Sequence, residues 1–199
     1  MADELLTFLR LVVAGKTADV QRLLQASPSL ATAAARTGAT RGQAPSFFFR
    51  EIRHYLYQGD TALHMAAAAF QPAIAELLIA HGADVGARNR LGATPLHYAA
   101  DTNHWNPEAQ TRTIKYLLSI GAEPNAIDGR GVTPLHRAVR TRSAAAVEAL
   151  LAGGADPRKK NGHGSTPLQL AEWTTGRGGS GTARAREQQA DIIRLLLDG

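Results

Sequence analysis

The stretch TPLH at residues 94–97 decides the fold, because the chain repeats it. The same four letters stand at 133–136, and the variants TALH and TPLQ stand at 61–64 and 166–169. Successive threonines of these stretches are 33, 39 and 33 residues apart. Self-similarity at such a period indicates stacked structural units rather than one mixed domain.

Each unit carries the same local signals for two helices. The threonine precedes the first helical turn, where its hydroxyl can cap free amides and a proline loses no helical hydrogen bond. A short alanine-containing helix is expected there, followed by a second helix with a leucine pair. Gly82, Gly121 and Gly154 then stand where the second helix must end, at a position that favours a left-handed backbone.

The motifs resemble ankyrin repeats, which share the 33-residue period and the T-P-L-H-x-A signature. The resemblance covers about residues 59–199, and a degenerate unit at 8–30 resembles an N-terminal capping repeat. It implies an all-α solenoid of about five stacked helix-turn-helix units with short hairpin loops. The expected division of this single domain is a cap at 1–30, an inserted loop at 31–58, and repeats at 59–91, 92–130, 131–163 and 164–199.

Three histidines recur at one repeat position: His64, His97 and His136. The resemblance implies that each bonds the loop backbone of a neighbouring unit. A zinc site would need convergent ligands, whereas these are related by translation along the stack. In the last unit Gln169 takes the same position, where a neutral hydrogen-bonding side chain would serve. We therefore expect no metal and no cofactor.

Two units carry insertions of 6 and 13 residues between their helices, within 101–110 and 172–187. Because repeats stack with like parts aligned, both insertions should emerge at one end of the solenoid, beside the turn that carries Arg140 and Arg142. One hypothesis is an anion site there. The alternative is that the tryptophans Trp105 and Trp173 cover helix ends while the arginines pair with Asp101 or Glu172. The residues of the anion hypothesis are Arg140, Arg142, His104, Trp105, Arg177, Gly178 and Gly179.

A third departure from the repeat is the stretch from 31 to 58. Its first half is small, polar and glycine-containing, which predicts a mobile surface loop. Its second half concentrates Phe47, Phe48, Phe49, Tyr55 and Tyr57. One interpretation is a short helix or extended segment that docks on the first repeats, and the other is an exposed aromatic patch.

Composition narrows the functional classes. The 199 residues carry a net charge of +5 and no cysteine, which excludes disulfides and thiolate chemistry. The glycines of TGRGGSG at 175–181 have the spacing G-x-G-x-x-G, but a helix rather than a strand precedes them, so a dinucleotide fold is not indicated. No other catalytic motif has its structural context, so we do not expect an enzyme. Nothing in the sequence predicts a signal peptide or a membrane span, and we expect a cytoplasmic protein.

The resemblance implies a binding surface on the concave face, formed by hairpin tips and first helices. Basic residues concentrate between 130 and 160, so the expected partner is a protein with an acidic surface, and nucleic acid is not favoured. The alternative function is binding of a small anion or nucleotide-like ligand beside Arg140 and Arg142. We expect a monomer. The expected partner-binding residues are Tyr57, Asp60, Met65, Arg90, Tyr98, Asp101, Arg130, Arg137 and Arg140.

Overall fold

The computed structural model of the protein describes residues 2–40, 44–101, 106–173 and 182–198. These residues form ten α-helices that follow one another in five pairs, with one short β-hairpin between the first and second pair. The pairs are α1 (Ala2–Val13) with α2 (Thr17–Ala26), α3 (Ala62–Ala68) with α4 (Pro72–Ala80), α5 (Pro95–Ala100) with α6 (Pro107–Ser119), α7 (Pro134–Arg140) with α8 (Ala144–Ala152), and α9 (Pro167–Glu172) with α10 (Ala183–Asp198).

The helices stack in two layers. The first helices pack in the order α1, α3, α5, α7 and α9, and the second helices pack in the order α2, α4, α6, α8 and α10. One continuous apolar core runs between the layers from Phe8 in α1 to Leu196 in α10. This arrangement confirms the all-α repeat solenoid that the sequence predicts.

The signature residues cap the first helices as expected. In the fourth pair the hydroxyl of Thr133 accepts from the backbone N–H of His136, while the Thr133 N–H donates to Nδ1 of the histidine at 3.3 Å. This reciprocal capping satisfies two amides that the helix itself leaves free. Gln169 does the same for Thr166 through its Oε1 atom at 2.9 Å. Gly82 ends its helix with a φ of 87°, in the left-handed region.

The three signature histidines link neighbouring units, as the resemblance implies. Because Nδ1 accepts an amide proton, Nε2 carries the ring proton and donates it to a carbonyl oxygen of the next unit. Burial lowers the pKa of His64 and of His97 to about 4, so both rings are neutral at pH 7. Across the described ranges no group of three or more His, Cys, Asp or Glu side chains could hold a metal ion. The Nε2 contacts are His64 to Ala93 (3.0 Å), His97 to Val132 (2.9 Å) and His136 to Ser165 (3.0 Å).

The two insertions between helices are only partly loops. Helices α6 and α10 have 13 and 16 residues, against nine in α4 and in α8, so the C-terminal part of each insertion lengthens the second helix. At 101–110 the reason is a capping signal: Asn106 accepts from the Ala109 N–H at 3.1 Å, and Pro107 occupies the first turn. The insertion expected between the two helices at 101–110 therefore includes the first residues of α6, 107–110.

The stretch from 31 to 58 lengthens the connection between the first helix pair and the second. Residues expected to form a mobile loop instead pair with the returning chain: the Ala35 N–H donates to Asp60 O and the Ala39 N–H to Leu56 O, both at 2.8 Å. Gly38 lies so close to the backbone of Tyr57 that a Cβ would not fit. Residues 35–39 are therefore held against the returning chain, because small residues let two chain segments approach closely.

The aromatic half of this stretch, residues 47–57, is called the inserted hairpin. Its strands β1 (Phe48–Phe49) and β2 (His54–Tyr55) pair in antiparallel register, with Phe48 opposite Tyr55. Phe49, Ile52 and Leu56 are buried in the common core. The docked interpretation is thus confirmed, although the segment is a hairpin rather than a helix.

Candidate functional site

The inserted hairpin and the first helices together enclose a groove of about 920 Å³ on the concave face. This concave groove has three parts. One wall is the inserted hairpin, the rim is made by two hairpin loops between repeats, and the floor is made by α5 and α7. The residues that line it are Arg53, His54, Tyr55 and Tyr57; Arg90–Ala93, Asp128–Arg130 and Val132; and Tyr98, Asp101, Arg137, Arg140 and Thr141.

Exposure along the concave face increases from the first repeats to the last. Met65, Tyr98, Arg137 and Leu170 each stand four residues after a signature threonine, so they occupy equivalent positions. Met65 is 0% exposed, Tyr98 1% and Arg137 9%, whereas Leu170 is half-buried. Equivalent positions of a regular stack should be equally exposed, so something covers the first repeats.

A second set of equivalent positions shows the same gradient more strongly. Ala68 is fully buried, Asp101 is 8% exposed, the Arg140 side chain is 50% exposed and Trp173 is 60% exposed. These residues follow the threonines by seven positions. The concave face is therefore covered up to α5 and open from α7 onward.

The inserted hairpin is the cover. The ring of His54 lies 4.5 Å from the ring of Tyr98 between centroids, so β2 sits directly on the concave side of α5. Burial lowers the pKa of His54 below its usual value, and Asp101 opposes this effect. A neutral imidazole on a tyrosine ring is a stable buried contact, which fixes the hairpin as a wall of the groove.

A buried carboxylate anchors the base of this cover. Asp60 accepts hydrogen bonds from the Tyr57 N–H (2.6 Å), the Asn89 side chain (2.9 Å) and the Tyr98 hydroxyl (2.8 Å). Burial raises the pKa of Asp60 to about 6 even though these donors act to lower it. Asp60 thus ties the inserted hairpin, the next hairpin loop and α5 together.

Ion pairs hold the floor of the groove. The guanidinium of Arg137 donates from Nη1 to Asp101 at 2.8 Å and from Nη2 to Asp128 at 3.0 Å. Burial alone would lower the pKa of Arg137, but Asp101 and Asp128 raise it above its usual value. Burial likewise acts to raise the pKa of Asp128, but hydrogen bonds from the Arg130 N–H and from Arg137 outweigh it and lower that pKa. This cluster is a structural tie, because its charges compensate one another.

The remaining positive charge faces solvent around the rim. Arg53 and Arg130 are exposed, and within the described ranges their side chains form no hydrogen bond or ion pair. Arg90 lies over the ring of Tyr57 at 5.6 Å and donates to Ala39 O at 2.8 Å. Arg140 shares Asp101 with Arg137 through a 3.1 Å contact while half of its side chain stays exposed. These four residues, Arg53, Arg90, Arg130 and Arg140, are called the rim arginines.

The structure divides the expected partner-binding residues into three groups. Tyr57, Arg90, Arg130 and Arg140 line the groove with exposed or half-exposed side chains. Asp101 and Arg137 lie beneath them in the ion-pair cluster. Contact of Met65, Asp60 and Tyr98 with a partner stays a prediction, and although Tyr98 lines the groove floor, all three residues are buried. The reason is the inserted hairpin, which the repeat pattern alone does not position.

The expected anion site is only partly described. Arg140 and Arg142 line a separate cleft of about 210 Å³ with Trp173, between α7, α9 and α10. Arg142 has a left-handed backbone (φ 58°) and is buried, whereas Trp173 is exposed. The pairing of Arg140 with Asp101 is the alternative that the sequence left open. His104, Trp105, Arg177, Gly178 and Gly179 lie outside the described residues, as does TGRGGSG.

Sequence reasoning missed two features of the site. Arg53 and His54 belong to the groove wall, and no periodic signal marks them because the insertion has no counterpart in other units. The second feature is a polar side chain that recurs in the hairpin loops. Asn89, Asp128 and Asn161 each precede a signature threonine by five residues, so a search for regular spacing would find them. Each of these three side chains accepts from two backbone amides of its own loop.

Comparisons with known proteins agree with this architecture. The family model described as "Ankyrin repeats (3 copies)" matches residues 14–126, more than half of the chain, and "Ankyrin repeats (many copies)" matches residues 117–171. No curated protein sequence gives a significant match. None of the described helices is long and apolar enough to cross a membrane. The chain belongs to the ankyrin repeat family, whose repeats generally mediate protein–protein interaction.

Proposed function

We propose that this protein is a non-catalytic interaction module that binds an acidic surface of a partner protein in the concave groove. The observation that carries the proposal is the charge balance of the groove lining. Asp101 and Asp128, the carboxylates of the described lining, are already paired with Arg137. The rim arginines therefore present an excess of positive charge toward the partner.

The chemistry of the lining suits a protein surface. Arginine and tyrosine are enriched among the residues that contribute most to interface affinity, and Tyr57, Arg90 and Arg130 place both types beside one another. The ion pairs beneath hold the floor in place, so little conformational entropy is lost on binding. A guanidinium can also bind a carboxylate through two parallel hydrogen bonds, which adds geometric selectivity.

The test is quantitative capture of partners from the native host with three baits. They are the wild type, a groove variant with Arg90→Glu, Arg130→Glu and Arg140→Glu, and a control variant with Arg22→Glu, Arg112→Glu and Arg194→Glu. The control arginines lie on the second helices α2, α6 and α10 and are largely exposed, so the two variants change the net charge equally.

We expect specific interactors to fall at least tenfold with the groove variant and to persist with the control. Equal retention by both variants, or equal loss from both, would contradict binding in the groove. Circular dichroism and a melting curve for each bait exclude unfolding as the cause of a loss.

A small anion in the 210 Å³ cleft is the second candidate, favoured by the placement of Arg140 and Arg142 in one lining. It ranks second because most of the lining is apolar: five of its eight residues are Val139, Leu170, Ala171, Trp173 and Ile192. Phosphate, nucleotides and ADP-ribose-like ligands should raise the melting temperature of the wild type if the cleft binds them. The Arg140→Ala, Arg142→Ala variant should then show no such rise, and an equal rise would contradict the site.

A further inference from the structure

The concave groove differs from an open solenoid face in having one closed end. Inserted-hairpin residues Arg53, His54 and Tyr55 line it on the side of the first repeats, and His54 rests on Tyr98 of α5. Beyond this contact the floor positions of the earlier units, Met65 and Ala68, have no exposed surface. A polypeptide that follows the concave face from the last repeats therefore meets a wall at α5.

Closure at one end restricts the shape of the occupant. A strand that passed through the groove would have to continue over α3, where Met65 and Ala68 offer no exposed surface. A chain terminus or a sharp loop tip fits, because neither needs an exit. The volume of about 920 Å³ lies within the range of well-formed ligand sites, so several residues can enter.

The charge at the closed end selects between the two termini. Arg53 projects from the wall with no ion pair among the described residues, and Arg90 stands on the adjacent rim beside Tyr57. No carboxylate belongs to this end of the described lining, since Asp101 and Asp128 are bound to Arg137 on the floor. An amino terminus would meet repulsion there, whereas a terminal carboxylate would meet guanidinium groups.

We propose that the inserted hairpin makes the groove a pocket for the acidic carboxyl-terminal end of a partner polypeptide. This inference rests on the proposed function and adds which part of the partner enters and in which direction. The terminal carboxylate binds at the closed end near Arg53 and Arg90. Acidic side chains upstream of it bind Arg130 and Arg140 toward the open end.

The test uses a peptide of six glutamates with fluorescein at its amino end, prepared with a free carboxylate and with a carboxamide terminus. Fluorescence anisotropy gives the Kd of each for the full chain. A third probe has the same six glutamates followed by a lysine amide that carries the fluorescein. It offers the acidic side chains without a free terminal carboxylate. A fluorescein-labelled single-stranded oligonucleotide serves as a fourth probe.

We expect the free-carboxylate peptide to bind at least tenfold more tightly than the carboxamide peptide. Arg53→Asp should reduce that ratio to about one. Arg50→Asp is the matched control, because Arg50 is an exposed arginine of the same hairpin that lies outside the groove. It should keep the tenfold preference, and the melting temperatures of both variants should match that of the wild type within a few degrees. Asp is chosen because it tolerates the left-handed backbone of Arg53.

The outcomes separate this inference from the function beneath it. Equal affinity for the free and amidated peptides overturns the end-specific pocket while leaving acidic partner binding in place. An unchanged preference for the free carboxylate in Arg53→Asp also overturns it, because Arg53 would then not bind the terminal carboxylate. Failure of every acidic peptide to bind overturns the acidic partner itself, and tighter binding of the oligonucleotide would assign the groove to nucleic acid instead.

Discussion

The two halves of the concave face are built from equivalent repeat positions but present different surfaces. In the covered half, up to α5, Met65 and Ala68 have no exposed surface, and the buried Asp60 is bound by internal donors. In the open half the same positions carry Arg137, which is paired with Asp101, and Arg140, which contacts Asp101 while half of its side chain stays exposed. An insertion, and not the repeat itself, therefore decides which part of the concave face is exposed.

The largest loss of stability should come from removing Arg137, whose ion pairs hold the floor of the open half together. Arg137→Met leaves Asp101 and Asp128 without their shared cation in a buried site, which typically costs about 3 to 5 kcal/mol. Urea unfolding measures the loss. Arg130→Met is the control, since that exposed side chain has no such partners and should change stability by less than about 0.5 kcal/mol. Similar losses in both variants would show that the cluster is not the tie.

Acid should weaken the units that carry histidine. His64 and His97 have folded-state pKa values of about 4, below the ordinary 6.5, so their stabilisation is complete above pH 6.5 and is lost as pH falls toward 4. Each should cost about 2 kcal/mol by pH 5. Asp60 acts oppositely, because its raised pKa of about 6 favours the folded state below that pH and offsets part of the loss.

Urea unfolding at pH 7 and pH 5 measures the net change. The variant His64→Gln, His97→Gln copies the natural arrangement of Gln169 and should lose less stability on acidification. An equal loss in wild type and variant would remove the histidines from the explanation.

A smaller loss of stability should follow from weakening the packing of the inserted hairpin. Ile52→Ala removes a buried side chain at the edge of the core, where the cavity can open to solvent, so we expect about 2 kcal/mol. Faster proteolysis within residues 47–57 should accompany it. Glu51→Ala, the exposed neighbour, should leave both measurements unchanged. Unchanged proteolysis in Ile52→Ala would mean that the hairpin does not depend on this contact.

The smallest effect should come from the rim of the open half. Arg90→Ala with Arg130→Ala removes two exposed guanidinium groups. The free energy of unfolding should therefore change by no more than about 0.5 kcal/mol per residue. Binding of an acidic partner should nevertheless fall. A large stability loss would make these arginines structural and would weaken their assignment to the groove.

Regular features were predictable from the sequence, and the irregular ones were not. Threonine and proline at a fixed period indicate capped first helices, so the helices followed from spacing. The bond from His64 to Ala93 followed from the resemblance to ankyrin repeats. The exposure of Met65 did not, because it depends on where residues 47–57 dock. Neither did the ion pairs of Arg137, since Asp101 and Asp128 lie 36 and nine residues away in the chain.

The most direct test of the account is a hydrogen-exchange map of the full chain with and without a saturating free-carboxylate hexaglutamate peptide. We predict slowed exchange at 53–57, 90–93, 128–132 and 137–141, the chain segments that line the groove, with none in α2, α4 or α8. Slowed exchange on those second helices, with no change along the groove, would contradict it.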